Sequence, residues 1–213
     1  MPGRVVPFVP DCYYHIYNRG NNRGAIFFEP ENYIYFLHGI KKYLLPAADV
    51  IAYCLMPTHY HLMIRVKPAP QTSGVSKTPE VSPKTPEVSD VSLGMMRLSV
   101  SYTKAINKRF GRSGVLFQGR FQARAIADSG HLIQLCCYIH GNPVKDGLVT
   151  DPARWPYSNY LEWIGERQGT LLDCAFVHAQ FPDPGSYKDF VRNYLQGRNI
   201  PEAVQTYLGD LEA

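Results

Sequence analysis

The run Met56-Pro57-Thr58-His59-Tyr60-His61-Leu62-Met63-Ile64-Arg65 constrains this chain more than any other stretch, because it sets two histidines one residue apart in an otherwise apolar segment. It reads as a strand, and successive strand side chains point to opposite faces. His59 and His61 then share one face, while Tyr60 and Leu62 take the other. Two neutral imidazoles about 6 to 7 Å apart along a strand can grip one divalent ion if a third ligand arrives from elsewhere. Ordinary half-buried sheet histidines give the same pattern, so the pair becomes a site only through what surrounds it.

The surroundings predict a sheet with helices. Cys12 to Asn18 is aromatic and β-branched and runs into the turn-forming Arg19-Gly20-Asn21-Asn22-Arg23-Gly24, a strand and a loop whose Arg19 and Arg23 can reach phosphates. His15 reads as a sheet residue. Glu29-Pro30-Glu31 opens a helix, and Tyr33, Phe36, Leu37, Ile40, Tyr43 and Leu44 repeat at helical spacing until Pro46. Val50–Met56 is a second strand, joined to the histidine strand by the Pro57-Thr58 turn. Lys67 to Ser92 carries no aromatic residue and repeats Lys-Thr-Pro-Glu-Val-Ser, the composition of a disordered insertion. From Leu93 to Phe110, Met96, Val100, Tyr102 or Thr103, Ile106 and Phe110 predict an amphipathic helix with Arg97, Lys104 and Lys108 outward. Val115–Ile126 alternates basic and apolar residues, which places Arg120 and Arg124 on one face of a further strand. Ser129 then caps a helix over Gly130–Gly141. This order predicts an α+β fold, a ferredoxin-like antiparallel sheet with helices packed on one face.

Charge and cysteine usage bound the partners. The net charge of +4 is only mildly basic, but Arg97, Lys104, Lys108, Arg109, Arg112, Arg120 and Arg124 fall between Val91 and Ala127 without one acid among them. Such a block is either a solvated face or a phosphate-binding one. Five cysteines with no Cys-x-x-Cys spacing fit a reduced, cytoplasmic protein, and neither a signal peptide nor a membrane-spanning run is expected.

On the predicted helix Gly130–Gly141, Leu132, Leu135, Cys136 and Ile139 form the stripe that faces the sheet. Tyr138 and Asn142 stand i, i+4 beside that stripe, with His131 next to them. Alone, Tyr138 is core packing and Asn142 a helix C-cap before the breaker Pro143. If the helix packs on the His59/His61 face, the amide oxygen completes a metal site and the phenol points at it.

Four motifs together, His59-Tyr60-His61, Tyr138-x-x-x-Asn142-Pro143, Tyr14-His15-x-x-Asn18-Arg19-Gly20 and Gly114-x-Leu-Phe-Gln118-Gly-Arg120-Phe121, resemble the REP-associated tyrosine transposases, relatives of the single-tyrosine HUH transposases. The resemblance spans about Cys12 to Trp155. Tyr60, where that family carries a bulky hydrophobic residue, and the Lys67–Ser92 insertion depart from its pattern. It implies the HUH transposase fold over residues 1–155, with the insertion at about 67–92; beyond it the sequence itself predicts helices near Ser158–Glu166, Ser186–Leu195 and Pro201–Leu208, a helical C-terminal extension over 156–213. It further implies a divalent cation, Mg²⁺ or Mn²⁺, on His59, His61 and Asn142, with Tyr138 attacking single-stranded DNA to leave a 5′-phosphotyrosine. The implied partner is a palindromic (REP-like) DNA hairpin, laid along the basic residues between Arg97 and Arg124, and bound by a monomer or homodimer. Two alternatives stay open: a hairpin-binding protein without turnover, and a metal-dependent phosphodiesterase that uses water, with Tyr138 structural.

Overall fold

The computed structural model describes residues 7–68, 89–181, 183–198 and 200–212. Residues 69–88 of the insertion expected over 67–92 therefore lie outside the described residues. At its edges, residues 90–92 belong to the first turn of a helix.

Four strands form one antiparallel sheet, β1 (Tyr13–Arg19), β2 (Ala48–Leu55), β3 (His59–Val66) and β4 (Gln122–Ile126), in the order β2-β3-β1-β4. The crossover helices are α1 (Pro30–Tyr43), between β1 and β2, and α2 (Asp90–Arg109), between β3 and β4. That βαββαβ order is the ferredoxin-like arrangement expected from the sequence. The β2–β3 hairpin closes over two residues, Met56 and His59 exchanging both backbone hydrogen bonds. The tightness of this turn fixes the strand register, and with it the face taken by each histidine.

Period-2 alternation then divides the core. Tyr14, Ile16, Tyr53, Leu55, Tyr60, Leu62 and Ile64 pack with Phe36, Ile40, Met95, Leu98 and Tyr102 of α1 and α2 on one face. Ile51, Cys54 and Met63 pack on the other face with Leu132, Leu135, Cys136 and Ile139 of α3 (Ser129–Lys145). Helices on one face therefore describes only α1 and α2. α3 covers the opposite face, because the even-numbered residues of β3 already fill the first one and Met63 needs its own apolar cover.

Several local boundaries differ from the sequence reading. The buried stripe of α2 is Val91, Gly94, Met95, Leu98, Tyr102 and Ile106, whereas Met96 and Val100 are exposed. Gly94 sits where α2 crosses α1, since a Cβ there would run into the Tyr43 carbonyl oxygen. β4 begins only at Gln122, so Arg120 lies outside any strand while Arg124 lies within one. Asp128 rather than Ser129 caps α3, its carboxylate accepting from the His131 amide at 2.7 Å. α3 also runs through Pro143 to Lys145. A proline inside a helix forfeits one backbone bond, yet the ladder resumes with the Asp146 amide donating to the Asn142 carbonyl at 2.9 Å.

The C-terminal segment contributes α4 (Tyr160–Trp163), α5 (Cys174–Gln180), α6 (Pro184–Leu195) and α7 (Glu202–Glu212). The helices expected near Ser158–Glu166, Ser186–Leu195 and Pro201–Leu208 correspond to α4, α6 and α7, and α5 is an addition. The segment also closes the β2 edge, where a bulge at Ile51 disturbs the ladder. Asn159 accepts from the Tyr53 amide at 2.7 Å and donates to the Ile51 carbonyl at 3.0 Å. The indole of Trp163 donates to the same carbonyl at 2.9 Å.

Candidate active site

The face of β3 that looks toward α3 opens, at the β2–β3 turn, into a cleft of about 670 Å³. His59 and His61 come to it from β3, and Tyr138, Asn142 and Lys145 from α3. Spacing explains the second group: residues 138, 142 and 145 are i, i+4 and i+7 on one helix face. Lys145 and Asp146 were invisible in the sequence because Pro143 reads as a stop. Had the helix been extended through the proline, both would have fallen beside Asn142.

The two histidine rings lie 5.1 Å apart, centroid to centroid. His59 has its Nδ1 at 3.1 Å from the Thr58 hydroxyl, and His61 has its Nδ1 at 2.9 Å from Nε2 of His15. That leaves Nε2 on each ring. Asn142 donates its Nδ2 to the Tyr138 carbonyl at 3.1 Å, which leaves its oxygen without a share in that bond, and its side chain lines the cleft with His59. Burial holds His61 well below the ordinary histidine range, and His15, His59 and Lys145 push in the same direction. His59 is lowered chiefly by burial as well, with Asp146 and Asn142 opposing. Both rings are thus neutral near pH 7, the state in which imidazole is a ligand.

Among the described residues, no three His, Cys, Asp or Glu side chains gather into a metal-ligating group. An ion would need a third ligand of another kind. The Asn142 oxygen, on a side chain that lines the cleft with His59 and His61, suits that part, and the Asp146 carboxylate lines the same cleft. Two imidazoles, an amide oxygen and room for water suit a divalent ion of Mn²⁺ or Mg²⁺ type.

The Tyr138 ring stands edge-on to His61, centroids 5.3 Å apart. The Lys145 ammonium lies 5.1 Å from the centre of the same ring. Tyr102, on the basic helix α2, is buried on the far face of the sheet and donates its hydroxyl to the Ile26 carbonyl at 2.7 Å. It does not reach the cleft. His131 stacks edge-on with Tyr207 and takes no part in the cleft wall.

The basic residues separate into groups. Arg19 and Arg23 line the cleft, and Arg19 donates its Nε to Gln118 Oε1 at 2.7 Å. Their loop is held by the Gly20 amide bonding to the Thr58 carbonyl at 2.8 Å, and a Cβ on Gly20 would meet the Gly24 carbonyl oxygen. Arg97, Lys104 and Lys108 point to solvent from α2, on the sheet face away from the histidines. Arg109 pairs with Glu29 at 2.9 Å, and Arg112 lies over the Phe28 ring at 5.2 Å. Arg120 is exposed beside the cleft residues Gln118 and Gln122, and Arg124 lies over the Tyr207 ring at 5.1 Å.

No family model matches the chain. A Haemophilus influenzae protein described as a REP-associated tyrosine transposase is 25% identical over 122 residues, 53% of this chain and 58% of that relative. The chain thus matches somewhat over half the length of this curated relative. The solved structure of a REP-associated tyrosine transposase bound to a REP hairpin superposes with a TM-score of 0.58 at 19% identity, over 81% of this chain and 94% of that one. The chain is therefore similar to a REP-associated tyrosine transposase in sequence over about half its length, and to another in fold over most of it. The α+β fold of that transposase structure is shared here, four-stranded antiparallel sheet included. Among the described residues, no helix is long and apolar enough to cross a membrane.

Proposed function

We propose that this chain is a metal-dependent single-stranded DNA endonuclease and strand transferase that cuts at the foot of a palindromic hairpin through Tyr138. The observation that carries the reading is the convergence of Tyr138, from α3, with His59 and His61, from β3, on one cleft. A tyrosine that lines a cleft beside two neutral imidazoles and a lysine is placed as a nucleophile would be.

A divalent cation, Mg²⁺ or Mn²⁺, would polarise the scissile phosphate and offset its charge. His59, His61 and Asn142 are the residues to hold it. Tyr138 attacks phosphorus with its phenolic oxygen: the Oη–P bond forms, the P–O3′ bond breaks, and the phenolic proton passes to solvent. The departing 3′ oxygen takes a proton in turn, leaving a free 3′-hydroxyl and a 5′-phosphotyrosine. Rejoining runs the same steps backward. Lys145, beside the ring, puts a positive charge where the attacking oxygen and the phosphate are negative. Arg19 and Arg23, which line the same cleft, can bind the flanking phosphates of the strand.

The hairpin as partner follows from the relative solved with a REP hairpin. The test is incubation of the protein with single-stranded hairpin DNA and Mn²⁺ or Mg²⁺, followed by denaturing gels. Protein covalently joined to the 5′ end supports the tyrosine mechanism. Cleavage without an adduct assigns the reaction to water, and binding without cleavage leaves a hairpin-binding protein.

A further inference from the structure

His61 does not meet the cleft unaided. Its Nδ1 faces Nε2 of His15 at 2.9 Å, and Nδ1 of His15 faces the Tyr207 hydroxyl at 2.8 Å. The two rings are stacked, with centroids 5.0 Å apart. His15 is fully buried on β1, one strand over from His61, and Tyr207 reaches it from α7. The Tyr207 ring is itself held, by the Arg124 guanidinium over it at 5.1 Å and by the His131 ring edge-on at 5.0 Å.

We propose that Tyr207, acting through His15, is a positioning residue that turns the lone pair of His61 Nε2 into the cleft, making α7 part of the metal site. The inference rests on the metal-binding reading above and deepens it. One proton lies between His61 Nδ1 and His15 Nε2. If His15 supplies it, the remaining proton of a neutral His61 sits on Nε2, aimed at the cleft, and His61 cannot ligate. If His61 supplies it, Nε2 carries the lone pair.

In that second arrangement His15 accepts at Nε2, so its own proton is on Nδ1. Its acceptor is then the Tyr207 oxygen. Tyr207 is half-buried, so its O–H can turn to solvent while the oxygen still accepts. The orientation of a metal-ligating imidazole is commonly fixed by such an outer partner, and loss of the partner costs about 10- to 100-fold in metal affinity. Here two links in series carry that constraint from the C-terminal extension to the ligand.

The test uses the full chain without DNA. Mn²⁺ affinity is read by electron paramagnetic resonance for wild type, His61→Ala and Tyr207→Phe. ¹⁵N-histidine spectra with Zn²⁺ as a diamagnetic probe locate the proton of His15. The expected result is binding by wild type, none by His61→Ala, and binding about tenfold weaker by Tyr207→Phe. The melting temperature of Tyr207→Phe should fall by only about 2 to 4 °C, because the ring packing is kept and one hydrogen bond to buried His15 is lost. The His15 proton should sit on Nδ1 in the loaded wild type. Wild-type affinity in Tyr207→Phe, or a His15 proton on Nε2 in the loaded protein, overturns the inference while leaving the metal site intact. Failure of wild type to bind the ion, or binding that survives His61→Ala, removes the metal site itself and the inference with it.

Discussion

The phenol ring of Tyr138 meets the imidazole of His61 edge-on, with centroids 5.3 Å apart, although one rides on a helix and the other on the strand beneath it. A phenylalanine at position 138 would keep that ring contact and lose only the oxygen. Tyr138→Phe is therefore expected to fold, to keep its hairpin affinity, and to lose both cleavage and the covalent adduct, by about 10⁴-fold or more. Tyr102→Phe should keep both activities and instead lose about 1 kcal/mol of stability, because its hydroxyl serves the buried Ile26 carbonyl. Denaturing gels and thermal melts of the two variants decide the matter. Adduct formation by Tyr138→Phe would move the chemistry elsewhere.

His59→Ala and His61→Ala should each abolish metal-dependent cleavage while hairpin binding stays close to wild type. Affinity for DNA comes mainly from phosphate contacts, and neither neutral ring supplies a charge for them. Gel-shift titrations beside cleavage assays check this. A variant that still cuts at the normal rate with the same metal requirement would exclude the histidine pair as the ligand set.

The cations divide by place in the fold. Arg19 and Arg23 line the cleft, whereas Arg97 projects from α2 behind the sheet. Each of Arg19→Ala and Arg23→Ala is expected to weaken binding of the single strand and to lower the slope of log K against log salt by about 0.7. Arg97→Ala should leave both unchanged. Equal losses from all three would mean that the stem wraps around α2 as the basic stretch of the sequence first implied.

How far the site could be read from the sequence follows from its period. The histidines were legible because strand alternation is local: residues 59 and 61 share a face whatever lies around them. Tyr138 and Asn142 were legible as a pair for the same reason on a helix. What local pattern could not supply was the layer. That α3 covers the histidine face while α2 covers the other is decided by long-range packing, so the cations of α2 were grouped with the site although the sheet intervenes. His15 was read as a plain sheet residue, since its partners His61 and Tyr207 come from distant segments. The end of α3 was misplaced by Pro143, which hid Lys145.

Tyr60, between the two histidines, is fully buried against Phe36, and its hydroxyl has no hydrogen-bond partner. A buried hydroxyl left unpaired costs about 1 to 3 kcal/mol. Tyr60→Phe removes that cost and keeps the ring. The variant should gain about 1 kcal/mol in denaturant unfolding and cleave as wild type does. A loss of stability would show that the hydroxyl is served in solution by buried water.

His140 offers a pH-dependent test away from the cleft. Its ring is wholly buried, its Nε2–H donates to Asn159 Oδ1 at 2.9 Å, and its Nδ1 accepts from the Tyr187 hydroxyl at 2.6 Å. Burial lowers its pKa to about 4, against the hydrogen bond to Asn159, which favours the charged form. The unfolded chain takes up this proton near pH 6.5, the folded one only near pH 4. Between those values the unfolded state binds more protons, so stability falls as the pH falls. Its contribution is complete above about pH 6.5 and is lost on the way down to about pH 4, a difference on the order of 3 kcal/mol. His140→Gln removes the titration at some cost in stability at neutral pH. Denaturant melts of the variant from pH 7.5 to 4 should therefore show a shallower acid limb than wild type, by up to about 1.4 kcal/mol per pH unit. Parallel limbs would mean that His140 titrates alike in the folded and unfolded chains, and that its burial is not maintained in solution.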